Sequence, residues 1–215
     1  MIAPAPWQLH GRAYAFALKT GVAQRTAQSG APDALGEPRG ARSILMFVDY
    51  SSSDVGPYQE LLFIPGHYRF PDGHRYNSIG RIYVSSQDSV DNGRSNWGIP
   101  KDRADFEVTQ TDAGDQVTVS LDGRPFCRLM LAHGGPALPV SSGWVPQKAV
   151  TLAQLRDSRM FRYTPKAKGR LQLARLKHFW ADGEHFPALQ AGNWTVGGYM
   201  PAFDMTFPVA AITEA

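Results

Sequence analysis

Short apolar runs of strand length, bounded by turn residues, recur along this chain of 215 residues. Residues 43–50 form a nearly continuous apolar run, and residues 58–64 form the next one. Runs of this length are typical of strands that are buried on both faces. Asp122-Gly123 separates two further runs as a hairpin turn would. Because helical patterns are few and do not alternate with these runs, the sequence predicts a mainly β fold, either an antiparallel barrel or curved sheets with one or two short helices.

The length and composition indicate one soluble domain spanning residues 1–215. No repeat or change of composition marks a linker, and 43% hydrophobic with 19% charged residues is ordinary for a globular protein. The formal charge of +3 comes from interspersed residues without a basic run, so we expect no nucleic-acid partner. One short helix is expected over residues 151–157, with Thr151 as its cap.

Cysteine usage and hydropathy bear on the compartment. Cys127 is the single cysteine, so no intramolecular disulfide can form, and a reduced cytoplasmic setting fits. Cys127 alternates with apolar neighbours and is expected to be a small buried hydrophobe in a strand. The first residues lack the pattern of a signal peptide, and no run reaches about 18 apolar residues, so no membrane partner is expected. The six histidines do not follow metal-ligand spacing, so no metal site is expected.

A lysine that ends an apolar stretch is the first candidate for chemistry. Lys101 follows Trp97, Ile99 and Pro100. An amine held against apolar side chains loses hydration, which lowers its pKa and exposes a neutral nucleophile. A short helix capped by Ser86 is expected to precede the stretch and to end at about Gly93. The alternative is an ordinary solvated lysine on the surface.

Two further charged residues lie within apolar strands. Alternation along residues 58–64 places Glu60 on the same face as Tyr58 and Leu62. If that face is buried, the carboxylate needs a cation or a proton. Arg12 begins another strand-like segment. For both residues, the alternative is a surface charge at a strand edge.

Four segments, in order along the chain, resemble the acetoacetate decarboxylase family. The central ones are the most specific, because they combine a Gly-Arg pair with a lysine that follows an aromatic or apolar residue and proline, and a G-x-Y-x-E strand. The segments are residues 10–12 (His-Gly-Arg), 56–60 (Gly-Pro-Tyr-Gln-Glu), 81–101 (with Gly93-Arg94 and the lysine) and 203–208 (Phe-Asp-Met-Thr-Phe-Pro).

This resemblance implies an enzyme with a lysine nucleophile. Lys101 would attack the ketone of a small keto acid, or another carbonyl ligand, and form a Schiff base. Glu60 would serve as acid and base, and Arg12 would clamp the substrate carboxylate from the same cavity. The resemblance implies no cofactor and suggests a homo-oligomer. The residues expected to line the substrate pocket are Tyr58, Tyr83, Trp97 and Ile99.

Three positions depart from the family pattern. Asp102 replaces a second lysine, and a carboxylate there would raise the pKa of Lys101 unless strand alternation turns it away. Leu45 replaces an active-site glutamate, and Ser95 replaces an acid after the Gly-Arg pair. The resulting alternatives are a Schiff-base lyase, running decarboxylation or aldol and dehydration chemistry, and a non-catalytic small-molecule binder of the same fold. A purely structural role has no positive support in the sequence.

Overall fold

The protein is mainly β, as the sequence predicts, and the computed structural model describes residues 1–112, 114–189 and 194–215. Within these described residues, three short α-helices accompany fifteen strands. The helices are α1 (Val22–Ala27), α2 (Gln87–Trp97) and α3 (Gln147–Val150). The strands are β1 (Trp7–Leu18), β2 (Ser43–Ser52), β3 (Tyr58–Ile64), β4 (Gly66–Arg69), β5 (Arg75–Ser78), β6 (Arg81–Val84), β7 (Lys101–Arg103), β8 (Asp105–Thr111), β9 (Gly114–Leu121), β10 (Arg124–Ser141), β11 (Leu152–Arg156), β12 (Arg159–Tyr163), β13 (Lys166–Ala181), β14 (Trp194–Phe207) and β15 (Ala211–Glu214).

The strands form a large sheet and a smaller one. The large sheet has ten strands in the order β7-β6-β3-β2-β1-β14-β13-β10-β9-β8, and the small sheet has five in the order β15-β12-β11-β5-β4. The large sheet curls strongly, since Arg12 on β1 bonds to Asp115 on β9 although three strands lie between them in the sheet. This barrel-like arrangement of mostly antiparallel strands confirms the predicted fold class.

Strand alternation divides the core between the two faces of the large sheet. One apolar cluster includes Trp7, Val48 and Trp97. A second cluster lies on the opposite face and includes Phe47 together with Cys127, which is fully buried in a strand as predicted. Burial raises the pKa of the Cys127 thiol. Within the described ranges, no helix combines the length and apolar character needed to cross a bilayer.

Helix α2 extends further than the sequence suggested. It begins as predicted, because the Ser86 hydroxyl accepts a hydrogen bond of 3.3 Å from the Ser89 amide. It continues past Gly93 to Trp97 and ends at Gly98, which has a left-handed conformation with φ of 65°. It also connects β6 to the parallel strand β7, a β-α-β unit that the sequence pattern did not reveal.

Within residues 151–157, where a helix was expected, Leu152–Arg156 form strand β11 instead. Strand β11 pairs with β12 through a tight turn at Asp157-Ser158, where both residues have positive φ. Such a two-residue turn matches the twist of a hairpin, and pairing with a neighbouring strand overrides a weak local helix preference. Strand β10 continues through the Gly/Pro-containing residues after Gly134 as far as Ser141.

Candidate active site

A cavity of about 300 Å³ lies on one face of the curled sheet, beneath the segment that follows β10. Its walls come mainly from β1, β2, β3 and β14. Among the described residues that line it, the charged ones are Glu60 and Lys101. The lining residues are Trp7, Leu9, Ala13, Ile44, Met46, Val48, Tyr50, Tyr58, Glu60, Leu62, Ile64, Asn77, Ile79, Ile82, Trp97, Ile99, Lys101, Ser142, Ala149, Val150, Leu152, Pro165, Ala167, Met200, Phe203, Met205 and Phe207.

Lys101, the first residue of β7, is buried against a carboxylate and a hydroxyl. Its Nζ donates to Glu60 Oε2 at 3.0 Å and to Ser89 Oγ at 3.0 Å. The lysine and glutamate side chains are 5% and 6% exposed. The Nζ atom also lies 5.1 Å from the centre of the Tyr58 ring, a distance at which the ring attracts a cation.

Glycine 93 makes room for the lysine stem. A Cβ atom at this position would lie 2.8 Å from Lys101 Cδ, closer than side chains normally approach. Helix α2 therefore presents Gly93 and Ser89, four residues apart on one face, to the same lysine. The sequence interpretation missed Ser89, although this spacing from Gly93 was the signal that could have identified it.

Glu60 is held in place by its neighbours on β2 and β3. It lies opposite Val48 in the β2–β3 register, and Tyr50 Oη donates to its Oε1 at 3.3 Å. Burial, reinforced by the nearby carboxylate, raises the pKa of Tyr50 well above its ordinary value. Burial also raises the pKa of Tyr58. Both phenols therefore stay protonated, and Tyr50 is a further site residue that the sequence interpretation did not identify.

The electrostatics correct the expected pKa of Lys101. Burial is the largest influence and lowers the pKa, as expected from the apolar surroundings. The Glu60 carboxylate opposes it by charge and hydrogen bonding, with a contribution from Tyr58, and the net result is a raised pKa. The lysine is therefore protonated in the unliganded protein, because its buried partner is an acid.

Asp102 does not raise the pKa of Lys101 in the way considered from the sequence. Its side chain is 58% exposed and accepts a hydrogen bond of 2.5 Å from Arg94 Nη2. Strand alternation in β7 turns it to the opposite side from Lys101, as the sequence allowed. The residue that contributes most to raising the pKa of Lys101 is Glu60.

Arg12 lies outside the cavity, which corrects the expectation that it clamps a substrate carboxylate there. In β1 it is the neighbouring residue, Ala13, that lines the cavity. The Arg12 guanidinium donates on the other face to Asp49, at 3.0 and 2.9 Å, and to Asp115. The Arg12 guanidinium is thus already paired with two carboxylates.

Strand alternation also removes Tyr83 from the expected pocket. Ile82 faces the cavity, whereas the Tyr83 ring packs 4.6 Å from Phe126 and its hydroxyl donates to the His185 carbonyl at 3.3 Å. Leu45 likewise faces the second cluster. Tyr58, Trp97 and Ile99, in contrast, line the cavity together with Lys101 and Glu60.

Elsewhere in the described part of the chain, one group of side chains has the spacing of metal ligands. Asp182, Glu184 and His185 bring one potential ligand atom each within 4.8 Å of one another. Asp182 already accepts hydrogen bonds from the backbone amides of Glu184 and His185 and contacts the His185 ring at 2.6 Å. This acidic turn does not line the lysine cavity.

The site is thus a curled β-sheet that buries a lysine–glutamate pair in an apolar cavity. The family model described as Acetoacetate decarboxylase (ADC) matches residues 32–195, and the chain belongs to this family. No curated protein matches the chain in sequence.

Solved structures of the same fold cover almost the whole chain. An acetoacetate decarboxylase structure superposes with a TM-score of 0.75 at 13% identity, covering 99% of this chain and 91% of that one. The acetoacetate decarboxylase of Legionella pneumophila gives a TM-score of 0.72 at 12% identity, with 98% and 88% covered. The enduracididine biosynthesis enzyme MppR gives 0.69 at 16% identity, with 99% and 89% covered. At these identities the likeness shows the shared fold.

Proposed function

We propose that the protein is a lyase in which Lys101 forms a Schiff base with the ketone of a keto acid. The observation that carries this proposal is the distance of 3.0 Å between Lys101 Nζ and Glu60 Oε2 in a buried, apolar cavity. An amine and a carboxylate at this distance exchange a proton directly, and the apolar walls exclude water that would compete with the substrate.

The reaction begins with proton transfer within the pair. Glu60 takes a proton from the Lys101 ammonium, which leaves a neutral amine as the nucleophile. The amine adds to the ketone carbon, and the former ketone oxygen leaves as water with one proton from the attacking nitrogen and the proton held by Glu60, so that a protonated imine forms. Ser89 and Tyr50 are positioning residues in this step, since the first orients Lys101 and the second orients Glu60.

Carbon–carbon cleavage follows from the charge on the imine. The bond to the carboxylate breaks, its electron pair moves towards the iminium nitrogen, and CO₂ departs from the resulting enamine. A proton from water, delivered by Glu60, then reaches the enamine carbon. Hydrolysis of the imine releases the ketone and restores Lys101.

Aldol and dehydration chemistry would use the same imine. Structures of MppR, one of the neighbours of this fold, hold pyruvate and a condensation product of pyruvate with an aldehyde. The lining of this cavity favours decarboxylation instead. Among its described residues, no cation besides Lys101 is present to hold a carboxylate that must stay through the reaction.

The test is reductive trapping on the intact protein. Acetoacetate with sodium cyanoborohydride should add mass to the peptide that contains Lys101. The Lys101→Met variant should show no such adduct, whereas Lys177→Met, which removes an exposed lysine, should behave as the wild type. Adducts that appear only on surface lysines, across a panel of keto acids and pH values, would overturn the proposal.

A non-catalytic binder is the second candidate, and the raised pKa of Lys101 favours it. A closed ion pair that stays closed when a ligand enters would leave the amine protonated and unreactive. In that case ligands would raise the melting temperature without an adduct, and Lys101→Met would still bind them. Turnover that disappears together with binding in this variant would exclude the binder.

The cytoplasmic location and the homo-oligomeric state stay predictions from the sequence. Exposed apolar side chains on β10 and β13 support self-association, since Leu138 and Leu173 are 62% and 73% exposed. Light scattering coupled to size exclusion measures the mass in solution, and a monomer at micromolar concentration would contradict the oligomer.

A further inference from the structure

The cavity extends well beyond the reactive pair along an apolar wall. Glu60 shares its face of β3 with Leu62 and Ile64, and these pair with Met46 and Ile44 on β2. Four residues of strand from Glu60 to Ile64 span about 13 Å at roughly 3.3 Å per residue. Every side chain on this part of the wall after Glu60 is a hydrocarbon or a thioether.

The far end of this wall lies near the surface. Val150 and Leu152 line the cavity there and are partly exposed, whereas Lys101 and Glu60 are buried. A volume of about 300 Å³ corresponds to about ten water molecules at roughly 30 Å³ each. Acetoacetate, with four carbons, would fill only the end beside Lys101 and leave the wall uncovered.

The charge distribution of the cavity also favours a substrate whose remainder is apolar. A carboxylate that leaves as CO₂ is destabilised by an apolar surrounding, which promotes its departure. The remainder of the substrate meets no charged partner along the wall, at least among the described lining residues. A charged remainder would lose its hydration there without a charged partner to compensate.

We propose that the preferred substrates are β-keto acids with an unbranched alkyl chain longer than that of acetoacetate. The ketone carbon lies at Lys101, and the chain lies along Leu62, Met46 and Ile64 towards Leu152. The inference rests on the proposed function for its covalent step. That step is the one written above: the bond to the carboxylate breaks, its electron pair passes to the iminium nitrogen, and the product is a methyl ketone with a long chain.

The experiment compares acetoacetate with its six-, eight- and ten-carbon homologues. Release of CO₂ is measured above the spontaneous rate, and kcat/KM should rise about fourfold for each added methylene until the wall is covered, because a buried methylene contributes roughly 0.8 kcal/mol. A series that stays flat or falls from acetoacetate onward would overturn the inference.

A variant in the wall locates the effect. Leu152→Trp should shorten the cavity and bring the ratio of kcat/KM between the eight-carbon substrate and acetoacetate towards one. Leu173→Trp, the same exchange at an exposed position outside the cavity, should keep the wild-type ratio. An unchanged ratio in both variants would mean that the alkyl chain of the substrate binds elsewhere, and it would contradict the inference.

Binding of an unreactive probe separates this inference from the proposed function. Hexanol, octanol and decanol cannot form an imine, and their effect on the melting temperature should grow with chain length in the wild type and in Lys101→Met, but not in Leu152→Trp. If the alcohols bind in this way while no keto acid is trapped, the proposed function fails and the apolar chain site stands. If acetoacetate is trapped but neither series depends on chain length, the proposed function stands and the apolar chain site fails.

Discussion

At the scale of single residues, the site is governed by which protonation state its buried pair adopts. Glu60 holds the Lys101 ammonium at 3.0 Å, and its charge and hydrogen bond, together with Tyr58, outweigh the effect of burial on the lysine pKa. The proposed reaction then requires the substrate to shift the pair towards a neutral amine and a neutral acid. The sequence identified both residues but not their contact, because β3 and β7 are separated along the chain by β4, β5, β6 and α2.

The first prediction concerns this pair. In Glu60→Gln the attraction disappears while burial remains, so the pKa of Lys101 should fall below its ordinary value. Labelling of Lys101 by an amine-reactive reagent, followed by mass spectrometry across pH, should show a midpoint at lower pH than in the wild type. Glu107→Gln changes an exposed glutamate and should leave the midpoint in place. A midpoint that rises in Glu60→Gln would contradict the assignment.

The same pair makes stability depend on pH. The pKa of Lys101 is raised in the folded state, so its contribution to the free energy of unfolding is fully present below the ordinary value near 10.5 and is lost as the pH rises through the raised value. Urea unfolding between pH 9 and 12 should therefore show a steeper loss of stability in the wild type than in Lys101→Met. Parallel pH profiles would contradict this.

Gly93 provides a third prediction at this scale. Alanine at this position should favour the helix by up to about 1 kcal/mol, yet its Cβ would push the Lys101 stem by several tenths of an ångström. We expect trapping on Lys101 to fall by roughly tenfold to a hundredfold, since small misplacements of a nucleophile are costly. Gly134→Ala, where a Cβ meets open space, is the matched control. Normal trapping in Gly93→Ala would contradict the crowding.

At the scale of elements, α2 decides where the lysine lies. The helix begins at the Ser86 cap, presents Ser89 and Gly93 to Lys101, and ends at Gly98. The cap could be predicted from the sequence because it depends on a local hydrogen bond. The end of the helix could not be predicted. Gly93 looked like a helix terminator, but it is a glycine because the side chain of Lys101, which follows later in the chain, packs against it.

A prediction at this scale tests the cap. Ser86→Ala removes the acceptor for the Ser89 amide and should reduce the free energy of unfolding by about 1 kcal/mol. The midpoint of urea unfolding measures it. Ser95→Ala, at an exposed position of the same helix, should be neutral or slightly stabilising. Equal midpoints for both variants would show that the cap contributes nothing.

At the scale of the whole molecule, the curl of the large sheet separates the apolar cavity from the polar contacts of Arg12. The mainly β class followed from the strand-length runs. The side of the sheet on which Arg12, Tyr83 and Leu45 lie could not be inferred, because a strand buried on both faces carries no polar alternation to mark the cavity side. The sequence resemblance to the family therefore located the strands better than it assigned their side chains.

The bond between Arg12 and Asp115 yields a prediction about the curl. Their side chains are 12% and 0% exposed, so Arg12→Met leaves a buried carboxylate unpaired and should cost about 3–5 kcal/mol. Arg103→Met breaks an exposed pair with Asp105 and should cost at most about 1 kcal/mol. Denaturant unfolding compares the two. The folded fraction of Arg12→Met should still be trapped on Lys101, and loss of trapping without loss of stability would return Arg12 to the active site.

The β-α-β unit formed by β6, α2 and β7 could be exchanged as one segment between members of the family. It contains the lysine, the hydroxyl that orients it and the glycine that accommodates it, whereas the alkyl-binding wall comes from β2 and β3. A chimera that receives residues 81–103 from another family member would therefore import a nucleophile and retain its own preference for chain length. The nucleophile and the chain-length preference are therefore inherited through different stretches of the chain, whereas Glu60, the acid that pairs with Lys101, is inherited together with the wall on β3.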